Sequence, residues 1–217
     1  MLGGFIVSKY IDNPLLIGGR KFDLRLYTLV TSFKPLVAYL HRDGFARFCA
    51  TRYTSDCFSE EALGAHLTNV ALQKGDAHYN TTHGGKWSFH NVFLYIQSRY
   101  GTYVAEGLMT SIEFLIYHSL KAMENVMYND KHSFELYGYD ILIDGNIRPH
   151  LIEVNASPSL SVTTTSDRLM KEEVLSDAMR LVIPPGYPSS RAMSYWEYRT
   201  RTDLTANIKT GFKLLQF

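Results

Sequence analysis

A chain of 217 residues that is 46% hydrophobic and 20% charged can bury a core, which excludes wholesale disorder. A formal net charge of +1 excludes a globally basic nucleic-acid binder, and the two cysteines, Cys49 and Cys57, make neither a disulfide framework nor a four-ligand zinc site. No run reaches the roughly 18 apolar residues of a membrane span and no secretory signal is visible, so a cytoplasmic protein without membrane contact is expected.

Phe5–Ile11 reads as a strand, followed by a turn through Asp12-Asn13-Pro14 and Gly18-Gly19. Lys21–Ser32 alternates, with Phe22, Leu24 and Leu26 on one side and Lys21, Asp23, Arg25 and Tyr27 on the other, as in a strand with one buried face. Leu36–His41 and Phe45–Ala50 read as short strands joined at Asp43-Gly44, a hairpin signal. Residues 51–87 are polar and carry no clear period. Ser88 is placed to cap a helix running to about Arg99. A longer helix is predicted over Val104–Met127, where Leu108, Ile112, Leu115, Ile116, Leu120 and Met123 recur at helical spacing and read as a buried stripe. Phe134–Ile143 and Ile147–Val154 read as a strand pair around Asp144-Gly145-Asn146. A helix over about Arg168–Val182 ends before Pro184-Pro185-Gly186. The tail carries Arg191, Arg199, Arg201, Lys209 and Lys213 against Glu197 and Asp203, a surface suited to acidic partners or an ordinary solvated terminus.

Four features carry chemistry. Lys21, Asp23 and Arg25 share one face of a strand, which fits either a ligand site or a solvated edge with local ion pairs. Asp140, Glu153 and Asn155 flank one hairpin and offer hard oxygen ligands suited to magnesium. A two-residue loop puts Asp140 on the face of Glu153, whereas a three-residue loop needs a bulge to do so, and the sequence leaves that register open. His66-Leu67-Thr68-Asn69 is either a ligand-orienting loop or a local turn. Arg47, between Phe45 and Phe48, either grips a carboxylate or snorkels to the surface.

Taken together, Tyr10-Ile11-Asp12-Asn13-Pro14-Leu15-Leu16, Arg20-Lys21-Phe22-Asp23-Leu24-Arg25, His66-Leu67-Thr68-Asn69, Tyr137-Gly138-Tyr139-Asp140 and Leu151-Ile152-Glu153-Val154-Asn155-Ala156-Ser157-Pro158 resemble the tubulin–tyrosine ligase-like family, from about Phe5 to Ile183. His83-Gly84-Gly85-Lys86-Trp87 and Asp130-Lys131-His132 look most like its branch that initiates polyglutamylation. The resemblance implies an α+β, ATP-grasp-like fold, here its carboxy-terminal lobe with an antiparallel sheet and packed helices. It implies a ligase domain over 1–185 and a basic tail over 186–217. It assigns Lys9, Tyr10 and Ile11 to the adenine hinge, Lys21 and Asp23 to the nucleotide, and His66, Leu67, Thr68 and Asn69 to the same cleft. Asp140, Glu153 and Asn155 would hold Mg2+, Arg25 and Arg47 would hold substrate carboxylates, and Lys21 would neutralise phosphate charge. The implied reaction is ATP-dependent ligation of glutamate to glutamate side chains of tubulin tails, through an acyl phosphate. Implied partners are tubulin or microtubules, glutamate and other subunits of a polyglutamylase complex. The implied location is the cytoskeleton, including the axoneme or basal body of a cilium or flagellum. Two departures stand out: Ser8 occupies a position where the family has glutamine, and the chain opens in the middle of the expected catalytic region. A non-catalytic tubulin-binding or complex subunit, and a ligase adding glycine or tyrosine, remain alternatives.

Overall fold

The computed structural model describes residues 4, 7–55, 63–68, 85–130, 133–183 and 209–217. β1 (Leu16–Ile17) folds back on β2 (Arg20–Phe33), which runs beside β3 (Leu36–Phe48). A single turn, α1 (Leu63–His66), precedes β4 (Lys86–Ser88), which leads straight into α2 (Phe89–Tyr100) and then α3 (Thr102–Met123). β5 (Glu135–Ile143) and β6 (Pro149–Asn155) follow, then α4 (Thr165–Val182) and β7 (Phe212–Leu214). The sheet order is β4-β3-β2-β5-β6, with β1 on β2 and β7 on β3, and these pairings are antiparallel.

Alternation along β2 decides what each face of the sheet meets. Phe22, Leu24 and Leu26 lie with Tyr139 and Ile141 of β5 under α2 and α3. Val92 and Ile96 of α2 and Leu108, Ile112, Ile116 and Leu120 of α3 complete that core. Of the expected stripe, Leu108, Ile112, Ile116 and Leu120 are buried and Leu115 is half-buried, while α3 ends at Met123, which is 43% exposed. On the other face Tyr27 and Leu29 pack against Val174 and Ala178 of α4 and Phe212 of β7. Lys21, Asp23 and Arg25 continue that face beyond the apolar cover. One sheet face is covered by helices over β2, β3 and β5, and the other is covered less. The undressed part is a polar shelf.

Several boundaries differ from expectation. Phe5 and Ile6 lie outside the described residues, and Val7–Ile11 form no strand. Val7 is 95% exposed, with no face to bury against the sheet. Asp43-Gly44 is no hairpin turn: both residues lie inside β3, at a shift of register where Leu26 pairs with Gly44 and Thr28 with Leu40. A Cβ on Gly44 would sit 2.5 Å from the Arg25 carbonyl oxygen, so glycine here serves close backbone approach in a bulge. The chain reverses instead at Lys34-Pro35, between β2 and β3. α4 starts three residues earlier than expected, with the Thr164 hydroxyl accepting from the Asp167 N–H at 3.2 Å. Lys213 in β7 is matched by Glu113 at 2.7 Å, while Arg191, Arg199 and Arg201 lie outside the described residues. No helix among the described residues is long and apolar enough to cross a membrane.

Ser88 does cap α2, its hydroxyl accepting from the Asn91 N–H at 3.2 Å. Replacing it with alanine is expected to lower stability by about 1 kcal/mol. Urea titration would show this as an earlier midpoint at constant slope. An unmoved midpoint would deny the cap any energetic weight.

Candidate active site

Cross-strand register assembles the shelf. Asp23 of β2 faces Arg47 of β3, and Arg25 faces Asp140 of β5. Arg47 in turn faces Lys86 of β4, and Asp140 faces Glu153 of β6. The last pairing depends on one extra residue. β5 and β6 are joined by residues 144–148, pinned by Asp144, whose Oδ1 accepts from the Asn146 and Arg148 N–H groups at 2.9 Å. From that loop the ladder runs Ile143–Pro149, Leu142–His150, Ile141–Leu151 and then jumps to Asp140–Glu153. Ile152 is the bulged residue. A regular ladder would set Asp140 against Ile152 and turn Glu153 to the opposite face.

Arg25 uses Nε and Nη2 to fork onto both carboxylate oxygens of Asp140, the second bond being 3.0 Å. Arg47 forks onto Asp23, with Nε 2.8 Å from Oδ1, and also reaches Asp140 Oδ2 at 2.7 Å. Thr68 completes Asp23 with a hydroxyl bond of 2.8 Å. Two guanidiniums and two carboxylates thus form a linked, nearly dry quartet in the order Arg25, Asp140, Arg47, Asp23, with the side chains of Arg25 and Asp140 only 8% and 3% exposed. Burial alone disfavours the charged Asp140, but the bonds and charges of Arg25 and Arg47 outweigh it and hold its pKa below the ordinary 3.8. Burial likewise opposes the Arg47 charge, and Asp23 and Asp140 reverse that, so its pKa is raised. Gly138 lies beneath the stem of Arg25: a Cβ there would come 2.7 Å from Pro158 Cβ and 3.2 Å from Arg25 Cδ.

Lys21 stands at the other end of the row. Its ammonium donates to the Tyr10 hydroxyl at 3.0 Å and to the His66 carbonyl at 2.9 Å. Tyr10 also bonds His66 Nδ1 at 2.6 Å. Burial lowers the Lys21 pKa, against the opposing pull of Cys49, Tyr53 and Asp23. Of the other residues expected here, Lys9 is exposed, Ile11 half-buried and Leu67 exposed, while Asn69 lies outside the described residues. Tyr10, Lys21, Asp23, Arg25, Arg47, His66, Thr68 and Asp140 are thus brought together on one face.

Glu153 is exposed and accepts from Asn155 Nδ2 at 3.1 Å, and Asn155 also donates to the Gly138 carbonyl at 3.2 Å. Among the described residues no group of three or more His, Cys, Asp or Glu side chains could hold a metal unaided. The donors that share the face are two carboxylates and one amide, a set of hard oxygens. That fits magnesium, which retains water and substrate oxygens as its remaining ligands.

A second charged cluster was not anticipated. Lys86 Nζ lies 2.9 Å from Asp167 Oδ2, and Lys171 Nζ lies 3.2 Å from Asp167 Oδ1. The available signal was Thr164-Thr165-Ser166-Asp167, whose hydroxyl-x-x-acid spacing marks a helix start and places Asp167 in its first turn.

The geometry defines an α+β domain of sheet and helices with a carboxylate–guanidinium site on its partly uncovered face. The chain belongs to the tubulin-tyrosine ligase family, whose model matches residues 2–191, and the expected ATP-grasp-like fold class stands. It is 51% identical over 180 residues to the probable alpha-tubulin polyglutamylase Ttll1 of Tetrahymena thermophila, covering 83% of this chain and 44% of that protein. It is 46% identical over 178 residues to the probable tubulin polyglutamylase TTLL9 of Bos taurus, covering 82% and 38%. With the tubulin polyglutamylase TTLL5 of Homo sapiens it shares 37% over 192 residues, covering 82% and 15%. The chain therefore spans less than half the length of these relatives.

Proposed function

We propose that this chain carries the phosphate- and carboxylate-handling face of an ATP-dependent ligase that adds glutamate to glutamate side chains in the acidic tails of tubulin. The observation that carries the reading is the quartet of Arg25, Arg47, Asp23 and Asp140, flanked by Lys21 and Glu153 on a single sheet face. Relatives named as tubulin polyglutamylases support the same substrate. The markers around Lys86-Trp87 favour the branch that initiates chains, and a cytoskeletal, ciliary location accords with such a substrate.

A carboxylate is a poor electrophile. The acceptor carboxylate takes the terminal phosphoryl group of ATP, ADP departs, and an acyl phosphate results. The amine of the incoming glutamate then attacks the acyl carbon, loses a proton, and expels phosphate. Arg25 presents a planar fork to the acyl phosphate and to the negative tetrahedral intermediate. Arg47 holds a substrate carboxylate, and Lys21, with Tyr10 and the His66-Leu67-Thr68-Asn69 stretch, faces the nucleotide. Asp140, Glu153 and Asn155 would hold Mg2+, which offsets charge on the transferring phosphoryl group. Both oxygens of Asp140 are bonded by Arg25 and Arg47, so holding the ion would share that carboxylate with the Arg25 fork, while the Arg47 fork rests on Asp23.

The test is to supply tubulin, ATP and magnesium with radiolabelled glutamate, glycine or tyrosine in parallel. Incorporation of glutamate alone is expected. Glycine or tyrosine in its place would overturn the choice of amino acid. Tubulin binding without any incorporation, by a protein of the relatives' full length, would leave a non-catalytic subunit.

A further inference from the structure

The quartet is balanced, two positive charges against two negative. The neighbouring cluster is not. Lys86 and Lys171 share the single carboxylate of Asp167, and the three side chains are 12%, 5% and 2% exposed. Burial comes first in lowering the Lys86 pKa, and the charges of Lys171 and Arg47 lower it further against the bond to Asp167. A surplus positive charge held out of water needs an anion.

Space for one lies alongside. A cavity of about 420 Å3 is lined by Lys86, Trp87, Asp167, Phe45 and Met170, within the range of about 300–1,000 Å3 usual for small ligands. The first turns of two helices open onto it, α2 through Ser88 and Asn91 and α4 through Thr164 and Ser166. Their amide ends add positive potential. Among the described residues Lys86 Nζ donates to Asp167 and, at 3.3 Å, to Thr163, and it lies 4.6 Å over the Phe45 ring, so two oxygen acceptors there meet its three N–H groups. Lys86 is also the cross-strand partner of Arg47, so the cavity adjoins the quartet.

We propose that this cavity seats the side-chain carboxylate of the glutamate to be added, with Lys86 as its counter-ion and Phe45 and Met170 against its methylene stem. The proposal rests on the ligase reading and deepens it: Lys86 selects a dicarboxylic amino acid, while the quartet handles the reacting groups. Glutamine, an uncharged isostere, leaves the surplus charge unmet.

Trp87 lines the cavity and is 41% exposed, and Trp196 is the second of two tryptophans. In a Trp196→Phe background of the 217-residue chain, Trp87 emission is titrated with L-glutamate, L-glutamine and an acidic peptide of the tubulin tail. Glutamate is expected to bind about tenfold or more tightly than glutamine, since an unmatched buried charge penalises the wrong ligand. Lys86→Met should bring that ratio to about one, and Lys86→Arg should keep most of it. Lys86→Gln, which retains a donor toward Asp167, repeats the test should the methionine variant not fold. Equal binding of the two amino acids by the parent chain overturns the proposal. So does an unchanged ratio in the charge-free variants, or an effect of Lys86 on the acidic peptide alone. The readout is binding, so it is independent of whether label is incorporated into tubulin: incorporation without discrimination sinks this proposal and leaves the ligase reading standing, and discrimination without incorporation does the reverse.

Discussion

Arg25→Lys is expected to slow glutamate ligation by about two to three orders of magnitude while leaving affinity for ATP nearly unchanged. One edge of the Arg25 guanidinium, Nε and Nη2, is committed to a planar carboxylate, Asp140, in a geometry that a lysine ammonium cannot copy. Charge is preserved in the variant, so any loss reports shape rather than net electrostatics. An acyl phosphate and a tetrahedral intermediate present the same pair of oxygens, and the fork gains its full value only when they form. Single-turnover incorporation by a protein of the relatives' full length, alongside calorimetry with ATP, separates the two quantities. A variant within about tenfold of the parent rate would remove Arg25 from the reaction.

Asp140→Ala is expected to lower stability by about 3–5 kcal/mol, because it strands the buried Arg25 guanidinium and leaves Arg47 with Asp23 alone. Glu153→Gln, on the exposed partner strand, should stay within about 0.5 kcal/mol. Denaturant unfolding compares them directly, and equal effects would mean that the quartet contributes nothing beyond a surface pair. The pH profile provides an independent check. The Asp140 pKa in the folded state is depressed, so its contribution is present above its unfolded value near 3.8 and is lost as pH falls through the lower folded value. The parent should therefore lose stability below about pH 4, and the alanine variant should lose less of it there.

The row Lys21, Asp23, Arg25 was readable because alternation in a strand with one apolar face leaves a single choice for the other three side chains. The α3 stripe was readable for the same reason, with a helical period in place of two. The register that joins Asp140 to Glu153 was not, because it depends on a bulge at Ile152, and an apolar residue carries no mark of being unpaired. Asp43-Gly44 misled because glycine serves close backbone approach as readily as a reversal. Whether Arg47 faced inward was also open: its role follows from Asp23 on one strand and Asp140 on another, partners 24 and 93 positions away. The Lys86–Asp167–Lys171 cluster is more distant still, assembled from β4 and α4, and only the helix-start spacing at Thr164 hinted at half of it.

The bulge in β6 also sets which kinds of genetic change this stretch withstands. Ile152 is 54% exposed, so exchanging it for another residue alters little that is packed. Losing its codon would also spare the site: with Leu151 followed directly by Glu153, the ladder beside β5 runs on without a kink and still sets Glu153 against Asp140. Gaining a residue after it is a different matter. With one residue still bulged, the newcomer falls opposite Asp140, and Glu153 and Asn155 turn to the helix side, away from it. Selection on this segment therefore acts on where its carboxylate falls in the ladder rather than on the identity of the residue at the bulge, and a descendant with one added position would keep the sheet while having lost the carboxylate pair.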